Sequence, residues 1–330
     1  MKEKILSLIG PFFSLASPGA VRGRLSILIY HQVLEHPDPL RPEVPDVSVF
    51  EWQMQLLKQH LCILPLDDAV RRLRSGTLPR RAVCITFDDG YADSTKVVLP
   101  ILQRFGVSAT FFIATAFLNG GRMWHDTVIE TLRHFSGDWL GLSDSLGQRF
   151  LTGTIFEKRR SVRRLIMLLK GLSPTIRDAE IRRFAAPVAD RLPNDLMMTS
   201  EQVRVLHQAG MVVGGHTATH PIFTTVDLDT VYAEILQGRL MLEDLLDAPV
   251  TLFAYPNGRP FYDYMDEHVN MVRELGFEAA VSTTSGVATR TDDYWQLPRF
   301  TPWDRVPERF LARLLLNYTK THPDVIRNTL

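Results

Sequence analysis

Residues 82–91, which read AVCITFDDGY, constrain the fold of this 330-residue chain more than any other stretch. Six β-forming or apolar residues run directly into two adjacent carboxylates, Asp88 and Asp89, and then into Gly90. This pattern predicts a buried strand whose carboxyl end delivers acidic groups to a turn. In α/β folds, that end of a strand is where catalytic groups collect.

The adjacent carboxylates of Asp88 and Asp89 are expected to titrate differently. Like charges close together raise the pKa of one group unless a cation neutralises the other. One Asp bound to a metal and the other left free as a base would meet this requirement. Taken alone, the stretch is equally consistent with a turn in which the pair caps the next helix.

Strands and helices alternate along most of the chain, which predicts an α/β fold with a parallel sheet and right-handed crossovers. Residues 120–198 depart from this alternation and are interpreted as a mostly helical insertion or cap. The basic run at 157–164 indicates a solvated helix face. Asp67 is predicted to cap a short helix that ends near Gly76. The predicted strands, seven or eight in all, include 24–30, 82–87, 109–114, 211–215, 251–255 and 279–283.

The charge balance argues against a polyanionic partner. Lys plus Arg and Asp plus Glu number 37 each, so no net field favours nucleic acid or an anionic surface. A neutral or locally charged substrate fits better. Cys62 and Cys84 both lie in apolar runs, which is typical of free, buried cysteines.

The first residues do not decide the cellular compartment in which the protein works. Lys2 and Lys4 precede an apolar stretch that Pro11 interrupts, a weak match to an export signal. The alternatives are a cleaved signal and an N-terminal segment packed on the protein surface. A cytoplasmic location is favoured, with an exported or periplasmic one if residues 1–16 act as a signal. No stretch reaches transmembrane length.

A second strand end, in residues 211–220 (MVVGGHTATH), carries two histidines. His216 and His220 are four residues apart and can reach one ion through imidazole nitrogens. With one Asp they form a set of two histidines and one carboxylate, which leaves coordination positions open for water and substrate.

A third strand end, in residues 253–258 (FAYPNG), combines a proline that fixes the turn with a glycine that permits close backbone approach. Such a loop can direct a backbone N–H at a developing oxyanion. An ordinary structural turn is the alternative.

The three motifs, TFDDG at 86–90, HTATH at 216–220 and FAYPNG at 253–258, resemble in this order the polysaccharide deacetylases with a NodB-type homology domain, carbohydrate esterase family 4, in a FAYPxG-variant subgroup. The resemblance spans residues 24–303 apart from the insertion, and leaves 1–23 as an N-terminal segment and 304–330 as a C-terminal helix and tail. It implies a distorted (β/α)7-type barrel that binds one divalent cation, with Zn²⁺ favoured, and removes acetyl groups from N-acetylated sugars.

The resemblance also implies roles for individual residues. Asp88 matches the general base, and Asp89, His216 and His220 match the metal ligands. The backbone N–H of Asn257 falls where the family donates to the oxyanion.

The chain departs from the family pattern at two points. Ala254 stands where the family has an arginine that orients the catalytic Asp, and we hypothesise that Arg299 replaces it from a neighbouring strand end. The usual C-terminal Leu-x-His is not evident, and His322 lies too close to the tail. Tyr30-His31 resembles the N-terminal histidine motif of deacetylases that act on poly-N-acetylglucosamine exopolysaccharide, so His31 is the candidate general acid.

Aromatic residues are candidates for sugar contact, because a ring face suits the apolar face of a pyranose. Trp124 and Tyr255 are assigned to substrate binding, and Trp303 is a further candidate. Core or interface packing is the alternative for both tryptophans. The remaining histidines are expected to be surface or packing residues: His125, His134, His207 and His268.

The predicted function is metal-dependent hydrolysis of N-acetyl groups on an amino-sugar polysaccharide or oligosaccharide, in exopolysaccharide or cell-envelope glycan metabolism. The expected partner is a glycan, with no nucleic acid, and a peripheral association with a membrane polysaccharide-assembly system is a further expectation. Two alternatives remain: hydrolysis of another non-peptide carbon–nitrogen bond, and a catalytically weakened glycan-binding protein.

Overall fold

A curled parallel sheet forms the centre of the protein. The computed structural model describes residues 9–143, 147–320 and 325–326. Within these ranges the strands are β1 (Ser26–Tyr30), β2 (Cys62–Ile63), β3 (Ala82–Phe87), β4 (Thr110–Ile113), β5 (Trp139–Gly141), β6 (Arg149–Leu151), β7 (Val212–Gly215), β8 (Leu252–Ala254) and β9 (Ala279–Val281). The sheet runs β1, β3, β4, β7, β8, β9, and β2 pairs with the start of β3.

A short extended segment, 297–300, closes this sheet into a barrel. The Leu297 N–H donates to the carbonyl of Ala280 at 2.9 Å, and the Phe300 N–H donates to the carbonyl of Ile27 at 2.7 Å. The segment therefore lies between β9 and β1, parallel to both, and acts as the seventh strand of the barrel. The predicted (β/α)7-type barrel is confirmed.

Side chains along each strand alternate between the barrel interior and the surrounding helices. In β3, Val83, Ile85 and Phe87 belong to the large apolar cluster that packs on the helices, whereas Ala82 and Cys84 belong to a second cluster with residues from β1, β8 and β9. Both cysteines are free thiols, as predicted, but only Cys84 is buried; Cys62 is half-buried, so the prediction of burial is wrong for it. Side chains two residues apart lie on the same face of a strand. The face of β3 that points into the barrel, its interior row, therefore carries Cys84 and Thr86 and continues to Asp88.

Helices surround the barrel and form most of the insertion. Their ends follow capping chemistry in several places: Asp46 accepts from the N–H of Val49, and Thr199 forms a capping box with Gln202. Within the described ranges they are α1 (Ile9–Ala16), α2 (Val47–His60), α3 (Leu66–Ser75), α4 (Leu99–Phe105), α5 (Trp124–His134), α6 (Ile155–Lys170), α7 (Pro174–Ala185), α8 (Ser200–Gln208), α9 (Leu228–Leu246), α10 (Asp266–Glu274) and α11 (Pro307–Asn317).

The predicted cap of α3 is wrong by two residues. Pro65 is the N-cap and offers no side-chain hydrogen bond, so Asp67 lies inside the first turn. There its carboxylate accepts from Arg71, four residues on, at 2.9 Å. Gly76 ends the helix in the left-handed conformation, at φ 70°.

The insertion has its own apolar core. Helices α5, α6 and α7 bury a cluster that includes Leu132, Leu165 and Phe184. The antiparallel hairpin formed by β5 and β6 covers one side and contributes Phe150. The sequence analysis did not predict this hairpin, because each of its strands has only three residues and one inward side chain.

The N-terminal helix α1 packs on the barrel next to the C-terminal helix α11. Phe13 is fully buried and meets the ring of Tyr318 edge to face, with 5.9 Å between the ring centroids. His322, considered above for a catalytic role, lies outside the described residues. Among the residues that the structure describes, no helix is both long enough and apolar enough to span a bilayer.

Gly238, in the middle of α9, allows this helix to approach the loop that follows β7. A Cβ at position 238 would lie 2.7 Å from the carbonyl carbon and 2.8 Å from the carbonyl oxygen of Thr217. Backbone atoms cannot rotate away as a flexible side chain can. The position of α9 against this loop therefore depends on the absence of a side chain at 238.

We predict that Gly238→Ala destabilises the protein although alanine is the better helix former by about 1 kcal/mol. The overlap with Thr217 should outweigh that gain and give a net loss of about 1–3 kcal/mol in the free energy of unfolding. Chemical denaturation measures it. Gly171→Ala is the matched control, because Gly171 ends α6 at φ −79° and its added Cβ meets nothing closer than 3.5 Å. Equal stability of the two variants would contradict the prediction.

Candidate active site

Loops at the carboxyl ends of the parallel strands meet around one cavity of about 240 Å³. The three sequence motifs and the Tyr30-His31 strand end all contribute to its wall. The predicted site residues that line it are His31, Asp88, Asp89, Trp124, His216, His220, Tyr255 and Asn257. Arg299 lies directly behind Asp88.

Asp88 and Arg299 form a buried bidentate ion pair. The two terminal nitrogens of Arg299 donate to Oδ1 and Oδ2 of Asp88, each at 2.7 Å. The arginine is itself held by the carbonyl of Ser282, which accepts from Nε at 2.8 Å, and by the hydroxyl of Thr86 at 3.2 Å. Burial raises the pKa of Asp88, but the charge and hydrogen bonds of Arg299 outweigh this effect and the net pKa is lowered.

Asp89, His216 and His220 converge on one point. Oδ1 of Asp89 lies 3.3 Å from Nε2 of His216 and 3.4 Å from Nε2 of His220. One ligand atom from each residue can be chosen so that all three lie within 4.8 Å of one another. This separation allows a single ion to contact all three.

The hydrogen bond behind His216 fixes which ring nitrogen faces the point of convergence. Nδ1 of His216 lies 2.7 Å from the carbonyl oxygen of Ala254, and because a carbonyl only accepts, Nδ1 must carry a proton. When the ring is neutral, Nε2 presents its lone pair towards Asp89 and can ligate an ion there; when the ring is protonated, the Nε2–H donates to Asp89 instead. In the neutral form this donor set fits a divalent metal.

The electrostatic environment favours the metal-binding forms of two of these residues. Burial lowers the pKa of His220 to about 3, so its imidazole is neutral near pH 7. Burial raises the pKa of Asp89, but its hydrogen bond to His216 and the nearby imidazole charges outweigh burial, and the net pKa is well below the usual range. For His216 burial lowers the pKa, yet Asp89 and Asp88 reverse the direction and the net pKa is raised.

Glu234 of α9 holds the loop that joins the two histidines. Its carboxylate accepts from the N–H of Ala218 at 3.0 Å, from the N–H of Thr219 at 2.7 Å and from the Thr219 hydroxyl at 2.6 Å. The neighbouring Gly238 lets α9 come close enough for these bonds. The sequence analysis missed Glu234, because an acidic residue on an amphipathic helix gives no local sign of such a role.

Several site residues adopt left-handed backbone conformations. Asp89, Thr217, His220 and Asn257 have φ of 78°, 64°, 57° and 58°. Non-glycine residues in this region cost about 1–3 kcal/mol each, and such strain clusters at functional sites. At His220 the turn is held by its own N–H, which donates to the hydroxyl of Thr217 at 3.0 Å.

The loop after β8 presents Asn257 to the cavity. Thr283 fixes it from both sides: its N–H donates to the carbonyl of Gly258 and its hydroxyl to the carbonyl of Asn257, each at 2.8 Å. Tyr255 also lines the cavity, and its ring stacks on Tyr264 with 4.0 Å between centroids. The Tyr255 hydroxyl is buried and accepts or donates no hydrogen bond within the described chain.

Two histidines reach the cavity from different parts of the chain. His31 follows β1 and is exposed, and its charge contributes to lowering the pKa of Asp88 and Asp89. His125, expected above to be a surface or packing residue, instead lines the cavity with Nε2 3.0 Å from the Tyr91 hydroxyl. That expectation is corrected: α5 turns the side chain inward, which no local pattern indicated.

The insertion forms part of the cavity wall. Trp124, at the start of α5, lines it together with Ile166 and Lys170 of α6. Lys170 lies 3.4 Å from the carboxylate of Asp263, in the loop before α10, and the sequence analysis had not singled it out. Trp303 lies away from this cavity, is 59 % exposed and has the Arg313 guanidinium 4.7 Å from its ring.

Comparison with known proteins places the chain in a family. The family model described as polysaccharide deacetylase matches residues 75–134 and 168–280, more than half of the chain. YxkH of Bacillus subtilis (strain 168), named as a candidate polysaccharide deacetylase, is 20 % identical over 278 residues, which are 84 % of this chain and 70 % of YxkH.

Solved structures share the fold. The deacetylase PplD of Streptococcus pyogenes, in complex with acetate, superposes with a TM-score of 0.60 at 19 % identity and covers 90 % of this chain and 99 % of its own. IcaB from Ammonifex degensii gives a TM-score of 0.58 at 17 % identity, with 90 % of this chain and 97 % of its own covered.

We predict that Arg299→Ala lowers the free energy of unfolding by about 3–5 kcal/mol, because it leaves the buried carboxylate of Asp88 without its counter-charge. In an Asp88→Asn background the same substitution should lower the free energy of unfolding much less, because Arg299 has then already lost its carboxylate partner. A double-mutant cycle by chemical denaturation measures the coupling. Equal losses in both backgrounds would show that the pair is not coupled.

We also predict that Glu234→Gln weakens zinc binding about 10–100-fold, the usual effect of removing a group that orients metal ligands. Both backbone N–H groups donate to Oε2 and the Thr219 hydroxyl donates to Oε1. The neutral amide keeps one acceptor oxygen for the two N–H groups but loses the negative charge that strengthens these bonds and the acceptor for the hydroxyl, so the loop is held less firmly. Competition with a chelating dye measures the dissociation constant. Asp244→Asn, which neutralises an exposed acid on the same helix, is the control, and equal zinc affinity of both variants would refute the prediction.

Proposed function

Because this chain belongs to the polysaccharide deacetylases, hydrolases of carbon–nitrogen bonds other than peptide bonds, we propose that it removes N-acetyl groups from an amino-sugar polysaccharide or oligosaccharide with the help of one divalent cation. The observation that carries the proposal is that the two adjacent acids have different partners. Asp88 is paired with Arg299, and Asp89 faces two imidazoles.

The cation we propose is Zn²⁺, held by Asp89, His216 and His220. Two imidazole nitrogens and one carboxylate are a common catalytic zinc set, which leaves a position for water or substrate. When bound, the ion supplies Lewis-acid polarisation of the acetamide carbonyl and makes water a better nucleophile near neutral pH.

The residues of the chain divide the proton transfers and charge stabilisation among themselves. Asp88, ionised and oriented by Arg299, takes the proton of the attacking water. The backbone N–H of Asn257 donates to the oxygen of the acetyl group as negative charge develops there. His31, exposed at the cavity mouth, protonates the departing amine. Tyr255, which lines the cavity, contacts the sugar through its ring.

The substrate we propose is an exopolysaccharide or a cell-envelope glycan. Two features support it: the Tyr30-His31 pair, which resembles the motif of deacetylases that act on poly-N-acetylglucosamine, and Trp124, an aromatic face at the cavity wall. A protein that modifies such a chain works near the machinery that assembles it. We therefore also propose a peripheral association with a membrane polysaccharide-assembly system.

The test uses two variants that should fail for different reasons. Asp88→Asn should release acetate from tetra-N-acetylchitotetraose (hereafter chitotetraose) at least about 10²-fold more slowly than the wild type, because the base is lost, yet should keep its zinc affinity. Asp89→Asn should lose both activity and zinc affinity. Acetate assays and zinc titration measure the two properties, and a chelator should stop the wild type reversibly. Full activity of Asp88→Asn would exclude its role as base.

A further inference from the structure

A second and larger cavity lies beside the catalytic one. Its volume is about 710 Å³, within the roughly 300–1,000 Å³ range of small-molecule sites. It lies between the insertion helix α7 and the barrel loop that contains Thr219 and Pro221. Trp124 lines both cavities, so the two adjoin at its indole.

Arg177 of α7 is the most unusual side chain in this larger cavity. Its side chain is only 12 % exposed, and its Nε is buried without a hydrogen-bond partner in the described protein. The nearest carboxylate oxygen, Oδ1 of Asp178, lies 3.7 Å from Nε, beyond hydrogen-bond distance. The guanidinium also lies 5.0 Å from the ring centroid of Trp124. The Arg177 guanidinium therefore lies beside Trp124, where the two cavities adjoin, with at least one hydrogen-bond donor that has no partner in the described protein.

The other charged groups of the cavity do not supply the missing acceptor. Glu234 uses its carboxylate on the loop between the two histidines. Arg122 donates to the Thr127 hydroxyl and to the Pro193 carbonyl, and Arg182 adds a third positive charge to the lining. Two carboxylates line the cavity, Glu234 and Asp178, and neither accepts a hydrogen bond from Nε of Arg177; Asp178 is 53 % exposed. Arg122 has Asp126 and Glu130 nearby, so Arg177 is the cation that lacks an acceptor for its Nε.

We propose that this cavity binds a carboxylate-bearing sugar of the glycan, next to the unit that is deacetylated, and that Arg177 is its principal contact. The inference rests on the proposed function. A planar guanidinium binds a carboxylate through two parallel hydrogen bonds. The catalytic cavity, at about 240 Å³, has room for little more than the acetylated sugar, so adjoining units need a place of their own. The substrate would therefore be an acidic heteropolysaccharide.

The test compares two tetrasaccharides with the zinc-loaded protein: chitotetraose, which is neutral, and an oligomer in which N-acetylglucosamine alternates with glucuronic acid. The wild type should prefer the acidic oligomer. Arg177→Gln should reduce the ratio of kcat/KM for the acidic to the neutral substrate about tenfold, mainly through KM. Arg177→Lys, which keeps the charge but not the fork, should retain part of the preference. Arg183→Gln, an exposed arginine of the same helix outside the cavity, should leave the ratio unchanged.

Binding separates the two proposals. Calorimetric titration of both tetrasaccharides into the wild type and Arg177→Gln does not require turnover. No acetate from either oligomer would refute the proposed function, while a loss of affinity for the acidic oligomer alone in Arg177→Gln would still support the carboxylate site. Unchanged ratios and affinities in a variant with a wild-type unfolding midpoint would overturn this inference and leave Arg177 as a packing residue.

Discussion

Two adjacent carboxylates buried at the end of one strand impose the main constraint on this structure. Asp88 and Asp89 are 3 % and 4 % exposed, and a buried carboxylate is costly unless opposite charges or donors compensate it. Each acid has its own compensation: Arg299 pairs with the first, and two imidazoles face the second. The arginine comes from the segment that closes the barrel and the imidazoles from the loop after β7. The segment that closes the barrel thus also supplies the charge that stabilises Asp88 in its buried position, so the two features depend on each other.

The backbone separates the two acids in space. Asp88 continues the interior row of β3, which takes it to the arginine inside the barrel. In an extended strand the next side chain would point to the opposite face, but the left-handed conformation of Asp89, φ 78°, redirects it to the cavity. A single strained residue thus gives neighbouring carboxylates different partners, and this difference would allow the proposed base and the proposed metal ligand to lie side by side.

The sequence predicted the parts of the site that follow strong strands, because apolar runs that end in polar groups bring those groups to one edge of a parallel sheet. It could not predict what depends on contacts between distant segments. Glu234 lies on an ordinary amphipathic helix, and His125 is turned inward by the packing of the insertion. The sequence predicts a strand end at 297–299, but that segment is too short to show that it closes the barrel, and the hypothesis for Arg299 came from the family's missing arginine.

Chemistry and cavity shape come from different parts of the chain. The barrel supplies the acids, imidazoles and Asn257, whereas the insertion supplies Trp124, Ile166 and Lys170 to the same wall. The insertion buries an apolar cluster of its own, so its outer surface can vary without disturbing the barrel. It meets the rest of the chain through several contacts, among them the ion pair between Lys170 and Asp263, at 3.4 Å, and the two hydrogen bonds from Arg133 to Asp38, at 3.0 and 2.6 Å. Its placement therefore shapes the space beside the barrel groups, in which the proposed substrate would have to fit.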